Sequence, residues 1–228
     1  MTESDREPAT PSQRVLTVWP LISAAAALLL AGGLSAILFY RPNEPFRIDL
    51  AWMAEMVENR GGVVGVIAMV LNWLGGGVIG ALVVPLGIII ALLLVRRRWA
   101  ALFFALSVMA SGGLVELLKQ LVGRTRPEDM IVVSDYGSFP SGHTANAATM
   151  AVVLGLVFGR TWLWAAGLAY TALMAISRTY LGAHWLSDTI GGVLIGAAVA
   201  VIIWAPLARR LEDERHPRSS EPIPPLAG

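Results

Sequence analysis

The stretch SRTYLGAHWLSDTIGGVLIGAAVAVIIWAPL, residues 177–207, joins a short polar segment to a long apolar run. The apolar part is long enough to cross a bilayer as a helix, which takes about 20 residues. His184 and Asp188 lie four residues apart where that helix begins, so they share one helix face and the carboxylate can meet the imidazole ring. This stretch therefore predicts a membrane helix with ionisable side chains at its start.

The composition of the whole chain agrees with a membrane location. Hydrophobic residues make up 56% of the sequence and charged residues 14%, and the mean hydropathy is +0.65. These values are far from those of an ordinary soluble domain, so they predict an integral membrane protein. The net charge of +1 gives no indication of a nucleic-acid partner, and the absence of cysteine excludes disulfides and thiol catalysis.

Further apolar runs precede residue 177, and together they predict an all-α bundle of six transmembrane helices. The first run is longer than the roughly 7–15 residues of a signal-peptide core, so we interpret it as a retained span. The run at 61–95 is too long for one crossing, and Asn72-Trp73 with Gly75-Gly76-Gly77 predict a break between a membrane-surface helix and the second span. The predicted spans are 15–40, 77–95, 100–122, 141–159, 162–181 and 185–206.

Polar segments divide the chain into three parts. Residues 1–14 and 208–228 are predicted to be polar, disordered tails, and residues 15–207 to form the membrane domain. Between the first two spans, residues 41–60 are polar and aromatic by turns. This pattern is typical of an interfacial loop that contains a short amphipathic helix.

The distribution of lysine and arginine predicts the orientation of the bundle. Cytoplasmic flanks of membrane helices carry an excess of these residues. With six spans and a cytoplasmic N-terminus, ten of the 17 lysines and arginines fall on the inner side, and three of the remaining seven are candidates for a buried site. Both tails are therefore predicted to be cytoplasmic at an inner (plasma) membrane, and the polar ends of spans three to six to face the extracytoplasmic side.

Three short segments hold nearly all of the charge that these runs would bury. They combine three cations, two histidines, one aspartate and a Ser-Gly pair at a helix start. Three cations suit a multiply charged anion, and the unpaired N–H groups of a helix start bind phosphate. Two histidines suit nucleophilic and acid–base chemistry. The segments are Lys119 with Arg126-Pro127, then Pro140-Ser141-Gly142-His143, then Ser177-Arg178 with His184 and Asp188.

Asp188 needs a partner or a purpose in this position. A carboxylate costs about 2.5–3.5 kcal/mol at the bilayer centre on insertion scales, and less nearer the surface. Holding the Nδ1–H of His184 is such a purpose, and it would leave Nε2 as a nucleophile. A His and an Asp that only cap a helix or pair with each other are the alternative for this pair taken alone.

Two other interpretations apply to the charged residues. A single Lys or Arg at the end of a span often only extends its charged group toward the interface, and this is a sufficient interpretation for Arg124. His143, His184 and Asp188 are also suitable metal ligands. Three nearby cations would repel a divalent ion and attract a phosphoryl group, so we predict neither a metal nor a cofactor.

The three segments together resemble the three-part signature of the type-2 phosphatidic acid phosphatase superfamily, also called lipid phosphate phosphatases. Six residues separate Lys119 from Arg126-Pro127, five separate Arg178 from His184, and three separate His184 from Asp188, so every signature position matches. The signature occupies residues 119–188, and the six-span layout extends the resemblance over about 15–207. Three coincident motifs are specific for the superfamily but not for a substrate.

This resemblance implies a metal-independent hydrolase that forms a phosphohistidine. His184 would attack phosphorus, Asp188 would orient it, and His143 would protonate the leaving oxygen. Water would then resolve the intermediate. The groups implied to hold the phosphate oxygens are Lys119, Arg126, Ser141, Gly142 and Arg178.

We therefore predict a phosphatase that acts at the outer leaflet on a polyprenyl diphosphate, phosphatidylglycerol phosphate or phosphatidic acid. The short chain with its small loops resembles minimal bacterial members of the superfamily, which favours the polyprenyl diphosphate or a related envelope lipid. A lipid phosphotransferase would use the same phosphohistidine but pass the group to another acceptor. A membrane transporter would also bury charge, but it gives no reason for the His–Asp pair beside phosphate ligands. The predicted partners are the lipid substrate and the bilayer, with no nucleic acid.

Overall fold

The computed structural model describes residues 11–41 and 43–216, and every regular element in that part of the chain is a helix. This confirms the predicted all-α class. One π-helical turn, Ile79–Val83, leads into the fourth helix. The helices are α1 Pro11–Tyr40, α2 Arg47–Glu58, α3 Gly62–Gly75, α4 Val84–Leu94, α5 Arg98–Val122, α6 Gly142–Phe158, α7 Thr161–Tyr180 and α8 Leu186–Arg215.

Three of these helices are long and apolar enough to cross a membrane, namely α1 over Val18–Tyr40, α5 and α8. A fourth candidate is the bent pair formed by α3 and Ile79–Leu94, whose two halves meet at 52°. Large apolar side chains such as Leu29, Leu94 and Leu168 are exposed on the outer faces of the bundle. An apolar surface of this extent is expected where helices contact lipid instead of water. The chain is a multi-pass membrane protein.

The long apolar run at 61–95 is broken, as its glycines predicted. Asn72 and Trp73 themselves belong to α3, and the break comes at residues 76–78. Gly77 has a φ of +56°, a left-handed conformation that glycine adopts at little cost. Asn72 therefore lies near the end of α3. Its carbonyl oxygen contacts His143 at the start of α6, and its side chain accepts from Arg178 at the end of α7.

A short helix, α2, occupies the position predicted between the first two spans. Asp49 on this helix is fully buried, whereas Ile48 and Leu50 are exposed. The helix therefore carries one buried carboxylate into the bundle and leaves apolar side chains on its outer surface.

Helices α6 and α8 approach very closely because glycines lie at their contact. Gly192 and Gly196 are four residues apart on α8, and a Cβ atom added there would lie 2.6 Å from the Ser141 carbonyl oxygen and 2.2 Å from that of Ala145. Small residues with this spacing allow membrane helices to associate through van der Waals packing of their backbones. The contact fixes the start of α6 beside the start of α8.

At the opposite end of the bundle, an apolar core and a helix cap hold α8 in place. Phe103 and Phe104 are fully buried in that core. The Glu214 carboxylate accepts the backbone N–H groups of Trp99 and Ala100 at 2.6 and 3.1 Å. These N–H groups belong to the first turn of α5, where no backbone acceptor within the helix is available.

Helix α8 continues to Arg215, past the predicted end of the membrane domain at residue 207. The prediction of a disordered tail from residue 208 is corrected accordingly. The physical reason is tertiary: Glu214 caps α5, and Arg215 Nη2 donates to the carbonyl oxygen of Val157 at the end of α6, at 3.2 Å. Helix α1 likewise already begins at Pro11. The rest of the two predicted tails, residues 1–10 and 217–228, lies outside the described residues.

Candidate active site

The three polar segments meet at one end of the bundle. This end brings together the last turns of α5 and α7 and the first turns of α6 and α8. A cavity of about 970 Å³ opens there. Its lining includes five of the eight predicted site residues, namely Lys119, Gly142, His143, Arg178 and His184.

His184 lies in the loop between α7 and α8 and is 2% exposed. Its Nδ1 is 2.6 Å from the carbonyl oxygen of Ser138, which can only accept, so Nδ1 carries the proton. Its Nε2 is 3.4 Å from Arg126 Nη1, which can only donate. Burial, together with the positive charges of Arg178, Arg126 and Lys119, lowers the pKa of His184 well below its usual value. The ring is therefore neutral, and the lone pair on Nε2 has only the long contact with Arg126.

Asp188 lies behind His184 but does not bind it in the predicted way. Its Oδ2 is 3.7 Å from His184 Nδ1, beyond hydrogen-bond distance, and instead accepts the backbone N–H of Trp185 at 2.8 Å. Its Oδ1 accepts from Arg124 Nη1 at 2.5 Å. The His184 Nδ1–H thus donates to the Ser138 carbonyl, while the carboxyl group of Asp188 lies nearby and is fully buried.

Lys119 and Arg126 both form ion pairs with Asp135, a residue that sequence reasoning missed. The Lys119 Nζ–Asp135 Oδ2 distance is 2.5 Å, and the Arg126 Nη2–Asp135 Oδ1 distance is 2.6 Å. Arg126 also donates to the carbonyl oxygens of Ala183 and Gly137. Burial alone would raise the pKa of Asp135, but Lys119 and Arg126 outweigh this and hold it below its usual value. Asp135 is therefore an anion bound by two of the predicted phosphate ligands.

Arg178 is 1% exposed, and one of its nitrogens, Nε, is a buried donor without a partner among the described residues. Its Nη1 donates to Asn72 Oδ1 on α3. Its Nε is buried, and within the described chain no acceptor lies within hydrogen-bond distance of it. A buried donor without a partner is costly, so this atom is a candidate ligand for an anion in the cavity.

The Pro-Ser-Gly-His segment forms the start of α6, as predicted. Ser141 is the N-cap residue of α6; it is fully buried, and its N–H donates to the carbonyl oxygen of Asp188 at 3.0 Å. His143 Nε2 is 3.2 Å from the Asn72 carbonyl oxygen. A Cβ atom on Gly76 would lie 2.1 Å from that nitrogen, so the glycine makes room for the ring. Asn72 thus contacts both His143 and Arg178.

The interpretation of Arg124 as an interfacial cation is wrong. Its side chain is 1% exposed and forms ion pairs with Asp49 at 2.7 Å and Asp188 at 2.5 Å. Arg124 is only two residues before Arg126, but its side chain binds Asp49 and Asp188, whereas that of Arg126 binds Asp135. The sequence did not indicate this difference.

The candidate metal ligands do not form a metal-binding group in this geometry. Across residues 11–41 and 43–216, no cluster of three or more His, Cys, Asp or Glu side chains is arranged to hold a metal ion. His143 and His184 line one cavity, whereas Asp188 lies behind His184 and is bound to Arg124.

Residues 100–211 match the family model of the PAP2 superfamily. The matched range contains all three polar segments. The chain is also 33% identical over 138 residues to a decaprenylphosphoryl-5-phosphoribose phosphatase of Mycobacterium tuberculosis, a match that covers 58% of this chain and 70% of that protein.

A second relative is an undecaprenyl-diphosphatase of Sulfolobus acidocaldarius, 32% identical over 122 residues, which cover 49% of this chain and 58% of that protein. The chain spans less than two thirds of the length of most of the curated relatives it matches.

Among solved structures, a transmembrane PAP2-type phosphatidylglycerolphosphate phosphatase from Bacillus subtilis is similar with a TM-score of 0.70. The similarity covers 86% of this chain and 98% of that one, at 22% sequence identity. At this identity the likeness shows a shared fold.

Proposed function

The chain belongs to the PAP2 superfamily, and from that premise we propose that it is a membrane phosphatase that hydrolyses the phosphate or diphosphate head of a lipid. The observation that carries this proposal is the state of His184. A neutral imidazole, with Nδ1–H bound to Ser138 and the Nε2 lone pair in a cavity lined by cations, is a nucleophile poised for phosphorus.

In the proposed first step, His184 Nε2 attacks phosphorus. The new N–P bond forms while the bond from phosphorus to the lipid oxygen, or to the bridging oxygen of a diphosphate, breaks. His143 donates a proton to the departing oxygen. The positive charge that develops on the His184 ring is stabilised by the Ser138 carbonyl and the buried Asp188 carboxylate. A water molecule then cleaves the N–P bond, with His143 taking up its proton.

The proposed phosphate ligands are the three cations and the start of α6. Lys119, Arg126 and Arg178 would bind the non-bridging oxygens, with the unpaired Nε of Arg178 donating directly. The Gly142 N–H, in the first turn of α6, points outward from a helix start, where an anion is favoured. Ser141 supports this turn from its buried position.

The proposed substrate is a polyprenyl phosphate or diphosphate, with phosphatidylglycerol phosphate and phosphatidic acid as the other candidates. The names of the two relatives, an undecaprenyl-diphosphatase and a decaprenylphosphoryl-5-phosphoribose phosphatase, support the polyprenyl class. A phosphotransferase with the same phosphohistidine differs only in the final acceptor.

We further propose the six-span arrangement with both termini in the cytoplasm and the site on the outer side of the inner membrane. Helix α6 has 17 residues, at the lower end of the range of about 17–25 for a span, and α5, α7 and α8 surround it. Helix α7 has 20 residues, and Arg178 in its last turn lies in the site. The exposed Ile48 and Leu50 of α2 support an interfacial position for that helix.

Phosphate release from a panel of lipid monophosphates and diphosphates tests this function. The wild-type chain should release phosphate and form an acid-labile phosphoenzyme, and His184→Ala should abolish both. His216→Ala, which removes an exposed histidine at the end of α8, is the control and should change neither. Appreciable phosphate release by His184→Ala would refute the nucleophile assignment. The label appearing on an added lipid or sugar acceptor in preference to water would identify a phosphotransferase.

The same assay tests the proposed absence of a metal. Because three cations are proposed to provide the positive charge, EDTA should leave the rate unchanged. Loss of activity in EDTA, with rescue by a divalent ion, would show that a bound metal ion provides the positive charge instead of the three side chains.

A further inference from the structure

A buried group of charged side chains lies directly behind His184, on the side away from the cavity. We call it the Asp49 cluster: Asp49 of α2, Arg124 after α5, and Ser187 and Asp188 of α8. Asp49 and Asp188 are 0% exposed and Arg124 is 1% exposed. Asp49 lies outside the three signature segments, and Arg124 occupies a position in the first segment that the signature leaves unspecified. The proposed mechanism uses neither residue.

Hydrogen bonds connect all four residues of this cluster. Arg124 Nη1 donates to Asp188 Oδ1 at 2.5 Å and to Ser187 Oγ at 2.7 Å, and its Nη2 donates to Asp49 Oδ2 at 2.7 Å. Ser187 donates to Asp49 through its N–H at 2.9 Å and its Oγ at 2.8 Å. The guanidinium is thus held by a fork of bonds that a single-point cation cannot reproduce.

Two aromatic rings lie near the guanidinium of Arg124. The guanidinium carbon of Arg124 lies 5.7 Å from the ring centre of Phe46 and 5.8 Å from that of Trp185. Phe46 precedes α2 and Trp185 precedes α8, so both helix starts contact the same arginine. These contacts exclude water and strengthen the electrostatic interactions inside.

Arg124 is connected to His184 through two other residues, Asp188 and Ser138. Its side chain binds Asp188, whose Oδ2 is 3.7 Å from His184 Nδ1. Its backbone carbonyl accepts the N–H of Ser138 at 2.9 Å, and Ser138 is the residue whose own carbonyl binds Nδ1. One residue therefore fixes both the hydrogen-bond acceptor and the carboxylate behind the ring.

The charge of the cluster suits a reaction that places positive charge on His184. Counted by themselves, two carboxylates and one guanidinium give the cluster a formal charge of −1 in a buried environment. Asp188 also lies within electrostatic range of Arg126 at the cavity. The excess negative charge becomes favourable when the imidazole ring becomes cationic on phosphorylation.

We propose that Asp49 and Arg124 are positioning residues for the reaction: they orient Asp188 and the Ser138 carbonyl and supply the net negative charge that stabilises the phosphorylated ring of His184. This inference rests on the proposed function, because it concerns the same nucleophile. It extends the catalytic apparatus to α2, a helix that lies outside the signature.

Two conservative variants test the inference without removing the cluster. Asp49→Asn keeps the shape of the side chain and removes one charge. Arg124→Lys keeps the charge, but one ammonium group cannot bind both carboxylates and Ser187 together. Each should lower kcat about 10–100-fold while changing KM and the inhibition constant of inorganic phosphate less than about 3-fold, because the phosphate ligands are not part of the cluster.

Arg47→Ala and Glu58→Gln on the same helix α2 are the matched controls, since both side chains are exposed, and they should behave as wild type. All rates are referred to the monodisperse protein recovered by gel filtration. A reduced yield with a wild-type kcat per folded molecule would show a structural role only. A raised KM and a raised phosphate inhibition constant, with unchanged kcat, would show that the substitutions act on phosphate binding by Lys119, Arg126 and Arg178. Either result would overturn the inference.

A small phosphoryl donor separates this inference from the proposed function. With phosphoramidate, the bond from His184 Nε2 to phosphorus forms as the P–N bond of the donor breaks and ammonia leaves, and no lipid is involved. The wild-type chain should be phosphorylated at least about tenfold faster than Asp49→Asn or Arg124→Lys. Equal rates would refute the inference alone. Phosphorylation of the wild type without turnover of any lipid would refute the proposed function alone.

Discussion

Asp135 binds two of the three cations that we propose as phosphate ligands. Its carboxylate pairs with Lys119 and Arg126 and is 59% exposed at the cavity. Because those cations hold its pKa below the usual value, it stays ionised throughout the neutral range. In the proposed reaction, the phosphate groups of substrate and product therefore have to displace the Asp135 carboxylate from these two cations.

Asp135→Asn should consequently strengthen the binding of inorganic phosphate. Removing the competing charge frees Lys119 and Arg126. A site that is only partly free binds a ligand in proportion to its free fraction. We therefore expect the inhibition constant of phosphate to fall about 3–10-fold. Asp129→Asn, an exposed aspartate of the same loop, is the control. Weaker phosphate binding in Asp135→Asn would show instead that the carboxylate holds the cations in place.

At the scale of residues, the sequence predicted five residues that line the cavity but missed Asn72 and Asp135, which also line it, and the buried Asp49. The signature residues were found because each group is contiguous and chemically unusual in an apolar chain. Asn72 and Asp49 were missed because their partners are distant, Asn72 being 106 residues from Arg178 and Asp49 being 75 residues from Arg124. No local pattern marks a polar residue whose partner is brought close only by helix packing.

At the scale of helices, the contact between α6 and α8 depends on the absence of side chains at Gly192 and Gly196. Gly196→Leu would place atoms 2.2 Å from the Ala145 carbonyl oxygen, so the helices would have to separate. We expect a loss of about 1–3 kcal/mol in stability, measured by thermal or denaturant unfolding in detergent, with a large loss of activity.

Gly113→Leu is the matched control for this prediction. Gly113 lies on α5, and a Cβ atom there would meet nothing within 4 Å. Its stability and activity should remain close to those of the wild type. Similar losses in both variants would show that glycine itself, and not close packing, matters at these positions.

The ends of a helix were predicted correctly where the composition of the sequence determines them. They were predicted less well where contacts with other helices determine them. The run predicted at 100–122 is α5, Arg98–Val122, and the run predicted at 162–181 is α7, Thr161–Tyr180. The end of α8 was predicted too early because the sequence becomes charged after residue 207. Glu214 and Arg215 continue the helix through bonds to α5 and α6, which periodicity does not reveal.

At the scale of the whole molecule, the orientation in the membrane is a separate prediction. Reporters fused after Arg98 and after Arg210 should read cytoplasmic, and one inserted near Asp129 should read external, because basic flanks of membrane helices favour the cytoplasmic side. An external reading at Arg210 would exclude an even number of spans with a cytoplasmic N-terminus. A cytoplasmic reading near Asp129 would move the site to the inner leaflet.

The backbone contact at Gly192 and Gly196 also governs how the protein responds to the thickness of its membrane. Helix α1 has 30 residues, carries none of the proposed site residues and can tilt when a bilayer thins or thickens. Helices α6 and α8 cannot slide past each other, so the helix starts that hold His143 and Asp188 keep one height relative to each other. Hydrophobic mismatch is therefore absorbed around the site and not within it, and the thickness of a membrane should decide where this protein resides more than how fast it reacts.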